Sequence, residues 1–331
     1  MKVSVVMAVY NGEKYIVQAI RSLLEQTYNN YEIIIVNDCS TDKTYNILES
    51  EIALNDKVKV YHLDSNKGAA FALNYGINKA SGTWIAINDA DDISFKERLE
   101  VQVNYINQHS DIIAAATHIE IFTDSGIANP IDQVHQNYKN SVKSEQVGDE
   151  LYKGVPIIHG SIIFSKDAFI KAGSYNTNYK IAYDYDFWTR LIQIGPIHII
   201  PKVLYKYRKN NQSISNVYIE KTSSEFLEVA MNYIVKTRFS GPPPNFAVFG
   251  SKNSCTHFLS IKNNTNFNIF FTDYGEASNF INKYRKISKL NKIDGIIILG
   301  TSLKTENLVT RLLKSNLIQN INYFTLWTGV E

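Results

Sequence analysis

The 331-residue sequence predicts an α/β protein with a parallel, doubly wound sheet, followed by a smaller α/β module. Three observations predict this class. Short apolar runs alternate with amphipathic segments through the first hundred residues, polar clusters follow directly after several of these runs, and a proline-rich segment precedes a second set of strand-then-glycine patterns. Repeated β-α-β units form parallel sheets, and ligands bind beyond the carboxyl ends of their strands.

The predicted elements of the first hundred residues follow from hydrophobic periodicity. Apolar residues that recur from Ile16 to Leu24 at helical spacing predict one helix, and Gly68–Lys79 forms a second. The predicted strands are short, β-rich runs bounded by turn residues. They are Val3–Val9, Tyr31–Val36, Val58–His62 and Trp84–Asn88.

The pattern is less regular after residue 100. Residues 123–150 are polar and predict a long irregular segment of the kind that forms a lid or binding loop. The other predicted elements are a helix at Val101–Asn107, two strand pieces within Ile112–Ile121, a strand at Ile157–Phe164, a helix at Tyr183–Ile194, a strand at Pro201–Arg208 and a helix at Glu220–Arg238.

Composition and charge restrict the class of protein. The chain is 44% hydrophobic and 20% charged, which is typical of a globular protein with a sizeable core. A net charge of +2 gives no electrostatic reason to expect a nucleic-acid partner. Two distant cysteines, Cys39 and Cys255, favour a reducing compartment over a disulfide framework.

No apolar stretch reaches the roughly 18–20 residues that a membrane span needs, and the start of the chain lacks the pattern of a signal peptide. We therefore expect a cytoplasmic protein. Peripheral association with the inner face of a membrane and a homo-oligomeric state are both left open.

Polar side chains follow three of the predicted strands. Asn11 and Asp38 each come directly after one strand, and Asp89-Ala90-Asp91-Asp92 follows Trp84–Asn88. Because these strand ends share one edge of a parallel sheet, we expect the three clusters to converge. Carboxylates spaced two residues apart can face one hard cation, and Mg²⁺ or Mn²⁺ takes a few such oxygens together with water and a diphosphate. Asp42 remains open as either a helix cap or a ligand contact.

Two later features carry both a functional and a structural interpretation. Asp184 and Asp186 begin a predicted helix, where a carboxylate either caps the helix or removes a proton from an attacking hydroxyl. His159 lies in an apolar run, where it is either a core residue or a contact to an acceptor.

These motifs, in this order over about residues 1–215, resemble the family 2 glycosyltransferases, which have the GT-A fold of nucleotide-diphospho-sugar transferases with a Rossmann-like mixed sheet. The matching segments are Val5–Asn11, Asn37–Asp42, Asn66-Lys67-Gly68, Asp89–Asp92 and the Asp184 region. The resemblance implies inverting transfer of a sugar from a UDP-sugar to an acceptor hydroxyl, in the biosynthesis of a glycan, surface polysaccharide or glycoprotein. It also implies an acceptor that is a carbohydrate, a lipid-linked sugar or a glycoprotein.

The resemblance assigns roles to individual residues. Asp184 is the expected general base, Asp91 the ligand of Mn²⁺ or Mg²⁺, and Asp38 the residue that reads the uracil edge. The expected nucleotide-binding residues are Ala8, Val9, Tyr10, Asn11, Asp38, Asn66, Lys67, Gly68, Asp89 and Ala90. The expected acceptor and sugar contacts are His159, Gly160, Tyr185, Asp186, Trp188 and Arg208.

The sequence departs from the family pattern at four positions. Asn37 replaces an aspartate, Leu73 an arginine and Tyr183 a glutamate. Asn210 replaces the histidine of the late Tyr-Arg-x-His-x-x-Ser-x-Ser motif, which begins here at Tyr207. A non-catalytic scaffold that binds a nucleotide-sugar is therefore one alternative. A sugar-nucleotide pyrophosphorylase is another, although the sequence around Gly12 lacks the basic, glycine-rich loop of that class.

Domain boundaries follow from the linker Ser240–Pro244. We expect a GT-A domain at 1–239, comprising a nucleotide-binding half at 1–100, an acceptor-binding half at 101–215 and a helical extension at 216–239. A linker at 240–245 and a small Rossmann-like α/β module at 246–331 follow. Phe246–Gly250 and Gly295–Gly300 are strand-then-glycine patterns of that module, with further elements expected at 303–315 and 320–327. No G-x-G-x-x-G set is present, so a docking or structural role is favoured over dinucleotide binding.

Overall fold

The computed structural model describes residues 1–52, 55–210, 218–261, 266–274, 277–288, 292–300 and 322–326. The chain forms two compact units. Unit 1 comprises residues 1–148 and 155–213, and unit 2 comprises residues 149–154 and 214–331.

Thirteen strands and eleven helices are numbered here along the described chain. The strands are β1 Val3–Val9, β2 Tyr31–Asn37, β3 Val58–His62, β4 Trp84–Ile87, β5 Ile93–Ser94, β6 Ala114–Thr123, β7 Gly126–Ile127, β8 Ile163–Ser165, β9 Ile197–Arg208, β10 Asn245–Phe249, β11 Asn268–Asp273, β12 Gly295–Leu299 and β13 Asn322–Leu326. The helices are α1 Ile16–Leu24, α2 Thr44–Ile47, α3 Ala69–Lys79, α4 Arg98–Gln108, α5 Pro130–Ser141, α6 Val147–Glu150, α7 Lys166–Lys171, α8 Tyr183–Leu191, α9 Ile219–Arg238, α10 Lys252–Ser260 and α11 Ala277–Ser288.

The strands described in unit 1 form one mixed sheet in the order β3-β2-β1-β4-β8-β6-β9-β5, with β7 paired to β6. Strands β3, β2, β1 and β4 are parallel. Strand β8 then runs antiparallel to both β4 and β6, whereas β6 and β9 are parallel. This mixed sheet agrees with the Rossmann-like mixed sheet that the resemblance implies.

The central strands are apolar because both faces of the sheet are covered. Every residue of β2 is buried, as expected for a parallel strand with helices on both sides. On one face, Val5 and Met7 of β1 pack in the same core as Ile16 and Ile20 of α1. The helical spacing of those α1 residues places them on one face, so the periodicity that predicted the helix also sets its packing.

Two segments differ from the sequence predictions. Residues 123–150 contain the β6–β7 hairpin and helices α5 and α6, not one irregular loop. The Asn129 side chain caps α5 by accepting the Asp132 N–H, and Pro130 takes the first helical position. In the predicted strand Ile157–Phe164, residues 159–161 form a 3₁₀ turn and the strand itself begins at Ile163.

The strands described in unit 2 form a parallel sheet in the order β11-β10-β12-β13. Its core includes Phe280 and Tyr284 of α11, which pack on β10 and β12. Helix α9 lies in this unit, whereas the sequence predicts a helical extension of the first domain at 216–239. The Tyr233 ring of α9 stacks on Tyr152 at 4.7 Å, and both residues lie in unit 2. The expected elements at 303–315 lie outside the described residues.

Across the parts of the chain described here, no helix combines the length and the apolar character needed to cross a membrane.

Candidate functional site

The loops after β1 and β2 are joined by hydrogen bonds. The Asn11 N–H donates to Ser40 Oγ at 2.9 Å, and Asn11 Oδ1 accepts the Thr41 N–H at 2.8 Å. Asp42 accepts the N–H groups of Glu13 at 3.0 Å and Thr44 at 2.9 Å. Asp42 therefore links the loops after β1 and β2 through these two backbone N–H groups.

The residues around Asn11 present different groups to the sheet edge. Tyr10 is 48% exposed, whereas the Val9 side chain lies in the core and its carbonyl accepts the Asp38 N–H at 2.8 Å. Ala8 is partly buried. Asn11 has a φ of 53°, a left-handed conformation that asparagine tolerates better than most residues.

Asp38 organises the segment predicted to lie under the base. It is buried, and its two carboxylate oxygens accept the Lys67 N–H at 2.7 Å and the Gly68 N–H at 2.8 Å. Gly68 has a φ of 89°, which favours glycine, and Asn66 and Lys67 are exposed. The expected role of Asp38 in reading uracil stays a prediction.

The departure at Asn37 has a structural explanation. Its amide side chain accepts the Ser40 N–H at 3.0 Å and lies 3.0 Å from Nδ1 of His62. An amide both donates and accepts, which a carboxylate cannot do. Asn37 therefore shapes the loop after β2.

Three carboxylates lie within the four-residue segment 89–92 that comes after β4. Asp89 is about one-third exposed, Asp91 is largely buried and Asp92 is fully buried. Burial and the neighbouring charge of Asp89 raise the pKa of Asp91 to about 6. Burial and the charges of Asp91 and Asp89 raise the pKa of Asp92 well above its usual range. These carboxylates repel one another, and a bound cation would reduce that repulsion.

This acidic loop, Asp89–Asp92, fits a divalent metal held by few protein ligands. Asp92 Oδ1 accepts the Arg208 N–H at 2.6 Å, and its Oδ2 has no hydrogen-bond partner within the described ranges. The same ranges contain no cluster of three or more metal-binding side chains. Mg²⁺ and Mn²⁺ commonly use one or two carboxylates with substrate phosphates, so Asp91 with a bound diphosphate is a suitable donor set.

A buried arginine binds residues on both sides of the acidic loop. Arg98 is fully buried, and its Nη2 donates to the carbonyl oxygens of Ile87 at 2.8 Å and Ile162 at 3.1 Å. Its Nη1 donates to Ser94 Oγ at 2.8 Å. Sequence reasoning missed Arg98. The available signal was Arg98 and Gln102 at helical spacing, two polar residues on the apolar face of α4.

His159 lies between Asp89 of the acidic loop and Tyr175. Its Nδ1 lies 3.5 Å from Asp89 Oδ1, and its Nε2 lies 2.9 Å from the Tyr175 hydroxyl. The side chain is buried. His159 is thus adjacent to a predicted donor-binding carboxylate, although it lies on a 3₁₀ turn instead of the predicted strand.

Asp184 lies in the same neighbourhood. It is in the first turn of α8, and its Oδ1 accepts the Tyr185 N–H at 2.7 Å. Burial raises the pKa of Asp184, and the neighbouring His159 opposes this rise. The structure therefore brings Asp89, His159 and Asp184 together from three separate segments of the chain.

Three predicted acceptor contacts have other positions. Tyr185 and Trp188 are buried in the core of unit 1, where neither ring is open to stack on a sugar. The Asp186 carboxylate forms an ion pair with Arg190 at 2.6 Å. Helical spacing explains the difference, because the face of α8 that carries Tyr185 and Trp188 is the face that packs inward.

Gly160 provides space for Tyr205. A Cβ atom at Gly160 would lie 1.8 Å from the Tyr205 hydroxyl oxygen, which accepts the Asp89 N–H at 3.1 Å. The buried Gly160 thus acts on the acidic loop through Tyr205 and has no side chain to offer an acceptor.

Comparison with known proteins gives the family. The family model described as glycosyl transferase family 2 matches residues 4–173. An uncharacterized glycosyltransferase of Haemophilus influenzae is 32% identical over 219 residues, which cover 65% of this chain and 68% of that relative.

Two solved structures show the same fold. One is S. aureus TarS 1-349 in complex with UDP-GlcNAc, with a TM-score of 0.59 and 23% identity over 72% of this chain and 68% of that chain. The other is the mannosyltransferase PcManGT from Pyrobaculum calidifontis in complex with GDP-Man and Mn²⁺, with a TM-score of 0.55 and 16% identity over 96% of this chain and 80% of that chain. The family match and the GT-A fold lead to the same assignment: this chain belongs to glycosyl transferase family 2.

Proposed function

We propose that this protein is an inverting glycosyltransferase that moves a sugar from a UDP-sugar to the hydroxyl of a glycan, lipid-linked sugar or glycoprotein. The observation that carries the proposal is the convergence of Asp89, Asp91, His159 and Asp184 at the carboxyl edge of the sheet in unit 1. The UDP-GlcNAc bound to TarS and the GDP-Man bound to PcManGT support a nucleotide-sugar donor.

The donor site is proposed at the loops after β1, β2 and β4. Tyr10 and Asn11 lie at the first loop, Asp38 holds the segment Asn66–Gly68, and Asp89 with Ala90 faces the ribose side. A divalent cation on Asp91, Mn²⁺ or Mg²⁺, would offset the negative charge that develops on the departing diphosphate. The Mn²⁺ in the PcManGT complex supports this choice.

Asp184 is the proposed general base. Its carboxylate would take the proton of the acceptor hydroxyl while that oxygen attacks the anomeric carbon from the face opposite the diphosphate, which inverts the configuration. Because burial raises its pKa, the Asp184 carboxylate is a stronger base than an exposed aspartate. His159, between Asp89 and Tyr175, would hold the donor and acceptor halves in a fixed relation.

Substitution of the base tests the mechanism. We expect Asp184→Asn to lower sugar transfer by about 10²–10⁴-fold, because asparagine cannot accept the proton, while UDP binding stays at the wild-type level. Transfer is measured with a panel of UDP-sugars and acceptors, and UDP binding is measured by calorimetry with and without Mn²⁺.

Asp167→Asn is the matched control, since this exposed carboxylate of α7 forms an ion pair with Lys171. Equal turnover by wild type and Asp184→Asn would remove Asp184 from the mechanism. Absence of UDP binding would reject the donor assignment. UDP binding without turnover of any tested sugar would support the scaffold alternative.

A further inference from the structure

The Arg208 side chain has a hydrogen-bond partner at each of its three nitrogens. Nε donates to the carbonyl oxygen of Asp91 at 2.7 Å, Nη1 to Asp124 Oδ1 at 2.7 Å and Nη2 to Gln18 Oε1 at 2.7 Å. Its backbone N–H donates to Asp92 Oδ1 at 2.6 Å. Arg208 therefore forms hydrogen bonds to two successive residues of the acidic loop.

Aromatic rings hold the guanidinium in its plane. Its central carbon lies 4.2 Å from the centroid of the Tyr15 ring and 4.3 Å from that of Phe122. Only 6% of the side chain is exposed. A guanidinium that packs on two rings and is hydrogen-bonded at all three nitrogens has one orientation. It therefore keeps the segments that it contacts in a fixed relation.

Asp124 binds the Nη1 end of the Arg208 guanidinium. It lies in the turn between β6 and β7, and it accepts hydrogen bonds from Arg208, from Lys14 Nζ at 2.5 Å and from the Tyr15 hydroxyl at 2.7 Å. Its side chain is 46% exposed, and it lies in the segment that sequence analysis treated as irregular. Asp124 thereby ties the hairpin turn to the start of α1.

We propose that Arg208 and Asp124 form a clamp that positions Asp91 for the metal and the diphosphate of the donor. Arg208 is then a positioning residue, in place of the acceptor contact that the family resemblance implied. This inference rests on the proposed function, because it assigns the clamp to the donor site of that reaction.

The clamp acts through the backbone. Hydrogen bonds to the Asp91 carbonyl and the Asp92 carboxylate fix the turn on which the Asp91 side chain stands. Groups that orient a metal ligand in this way typically affect metal affinity by about 10–100-fold when they are removed. Lysine keeps the charge of arginine, but its three N–H donors share one nitrogen and cannot reproduce the bonds that three separate arginine nitrogens make to Asp91, Asp124 and Gln18.

The test measures UDP binding by calorimetry across a Mn²⁺ titration, together with the melting temperature of each variant. Without metal, we expect Arg208→Lys to bind UDP as tightly as wild type does. With metal, we expect it to need about 10-fold more Mn²⁺ than wild type to reach the same increase in UDP affinity. We expect Asp124→Ala, an exposed site, to shift the Mn²⁺ requirement in the same direction but by less than Arg208→Lys, since Asp124 contacts the acidic loop through Arg208.

Lys206→Met is the matched control. Lys206 lies two residues before Arg208 on β9, and its side chain forms an ion pair with Glu120 of β6 at 3.1 Å. It should leave the Mn²⁺ requirement unchanged. An unchanged requirement in both folded clamp variants would overturn the inference, as would equal weakening of UDP binding with and without metal. If wild type showed no Mn²⁺-enhanced UDP binding, the proposed donor site would fail and the inference would fall with it.

Discussion

Single residues at this site act mainly by placing other residues. Gly160 has no side chain, yet it decides where the Tyr205 hydroxyl meets the Asp89 N–H. His159 similarly connects Asp89 with Tyr175. The family motifs identify the carboxylates of the acidic loop, and these small or buried neighbours determine how those carboxylates are held.

A methyl group at Gly160 should disturb the acidic loop. Because the added Cβ of Gly160→Ala would lie 1.8 Å from the Tyr205 hydroxyl oxygen, the ring must move and the Asp89 N–H loses its partner. We expect a loss of about 1–3 kcal/mol in unfolding free energy and weaker binding of UDP with Mn²⁺. Urea denaturation and calorimetry measure the two effects. Gly148→Ala is the control, since its nearest neighbour would be Ile192 at 3.9 Å, and equal behaviour of the two variants would contradict this role of Gly160.

At the level of elements, α5 completes the edge of β6 with amide side chains. Asn140 both accepts the Ile119 N–H at 2.9 Å and donates to the Ile119 carbonyl at 2.8 Å. Gln136 accepts the Ile121 N–H at 2.6 Å. Four helical residues rise about 6 Å and two strand residues about 6.8 Å, so the two spacings match. The helix thus replaces a neighbouring strand.

Removal of one of these amides should destabilise unit 1. Asn140→Ala leaves two backbone groups of Ile119 at the strand edge without their partner, and we expect a cost of about 1–3 kcal/mol. Urea denaturation provides the measurement. Asn137→Ala, an exposed asparagine one turn earlier on α5, should cost close to nothing. A similar loss in both variants would contradict this role of Asn140, because alanine favours a helix more than asparagine does and propensity alone predicts no loss.

The same elements show what sequence reasoning could reach. Strand β1 was predicted with its observed bounds because its burial depends on a local apolar pattern. Helix α5 was missed because its few buried contacts are made by amides, which carry no hydrophobic periodicity. Asp91 and Asp184 became candidates through motifs with fixed spacing, and their roles stay predictions. Arg98 and Asp124 were not found, because their roles depend on partners that only the folded chain brings near.

At the scale of the whole molecule, one buried carboxylate joins the strand ends opposite the site. Glu32 accepts hydrogen bonds from Ser4 Oγ, Ser81 N and Oγ, and Lys59 Nζ. Burial alone would raise the pKa of Glu32, but the hydrogen bonds that its carboxylate accepts outweigh burial and lower the pKa to about 2. Because the folded pKa lies below the unfolded value of 4.5, the stabilisation is present above pH 4.5 and is lost as the pH falls toward 2.

Glu32→Gln should therefore lower the unfolding free energy by about 2 kcal/mol at pH 7, and the difference from wild type should shrink between about pH 4.5 and 2. Urea denaturation across this pH range measures it. Glu25→Gln, at an exposed position, is the control. A difference between wild type and Glu32→Gln that stays constant with pH would show that packing, and not ionisation, provides the stabilisation.

The position of β8 has a consequence for synthesis of the chain. It lies between β4 and β6, with Phe164 opposite Ile85, so β4 keeps one unpaired edge until residues 163–165 have left the ribosome. Unpaired strand edges in incomplete chains invite aggregation. The nascent protein therefore carries an apolar, half-paired sheet through about eighty further residues of translation, and chaperone protection matters most for it during that interval.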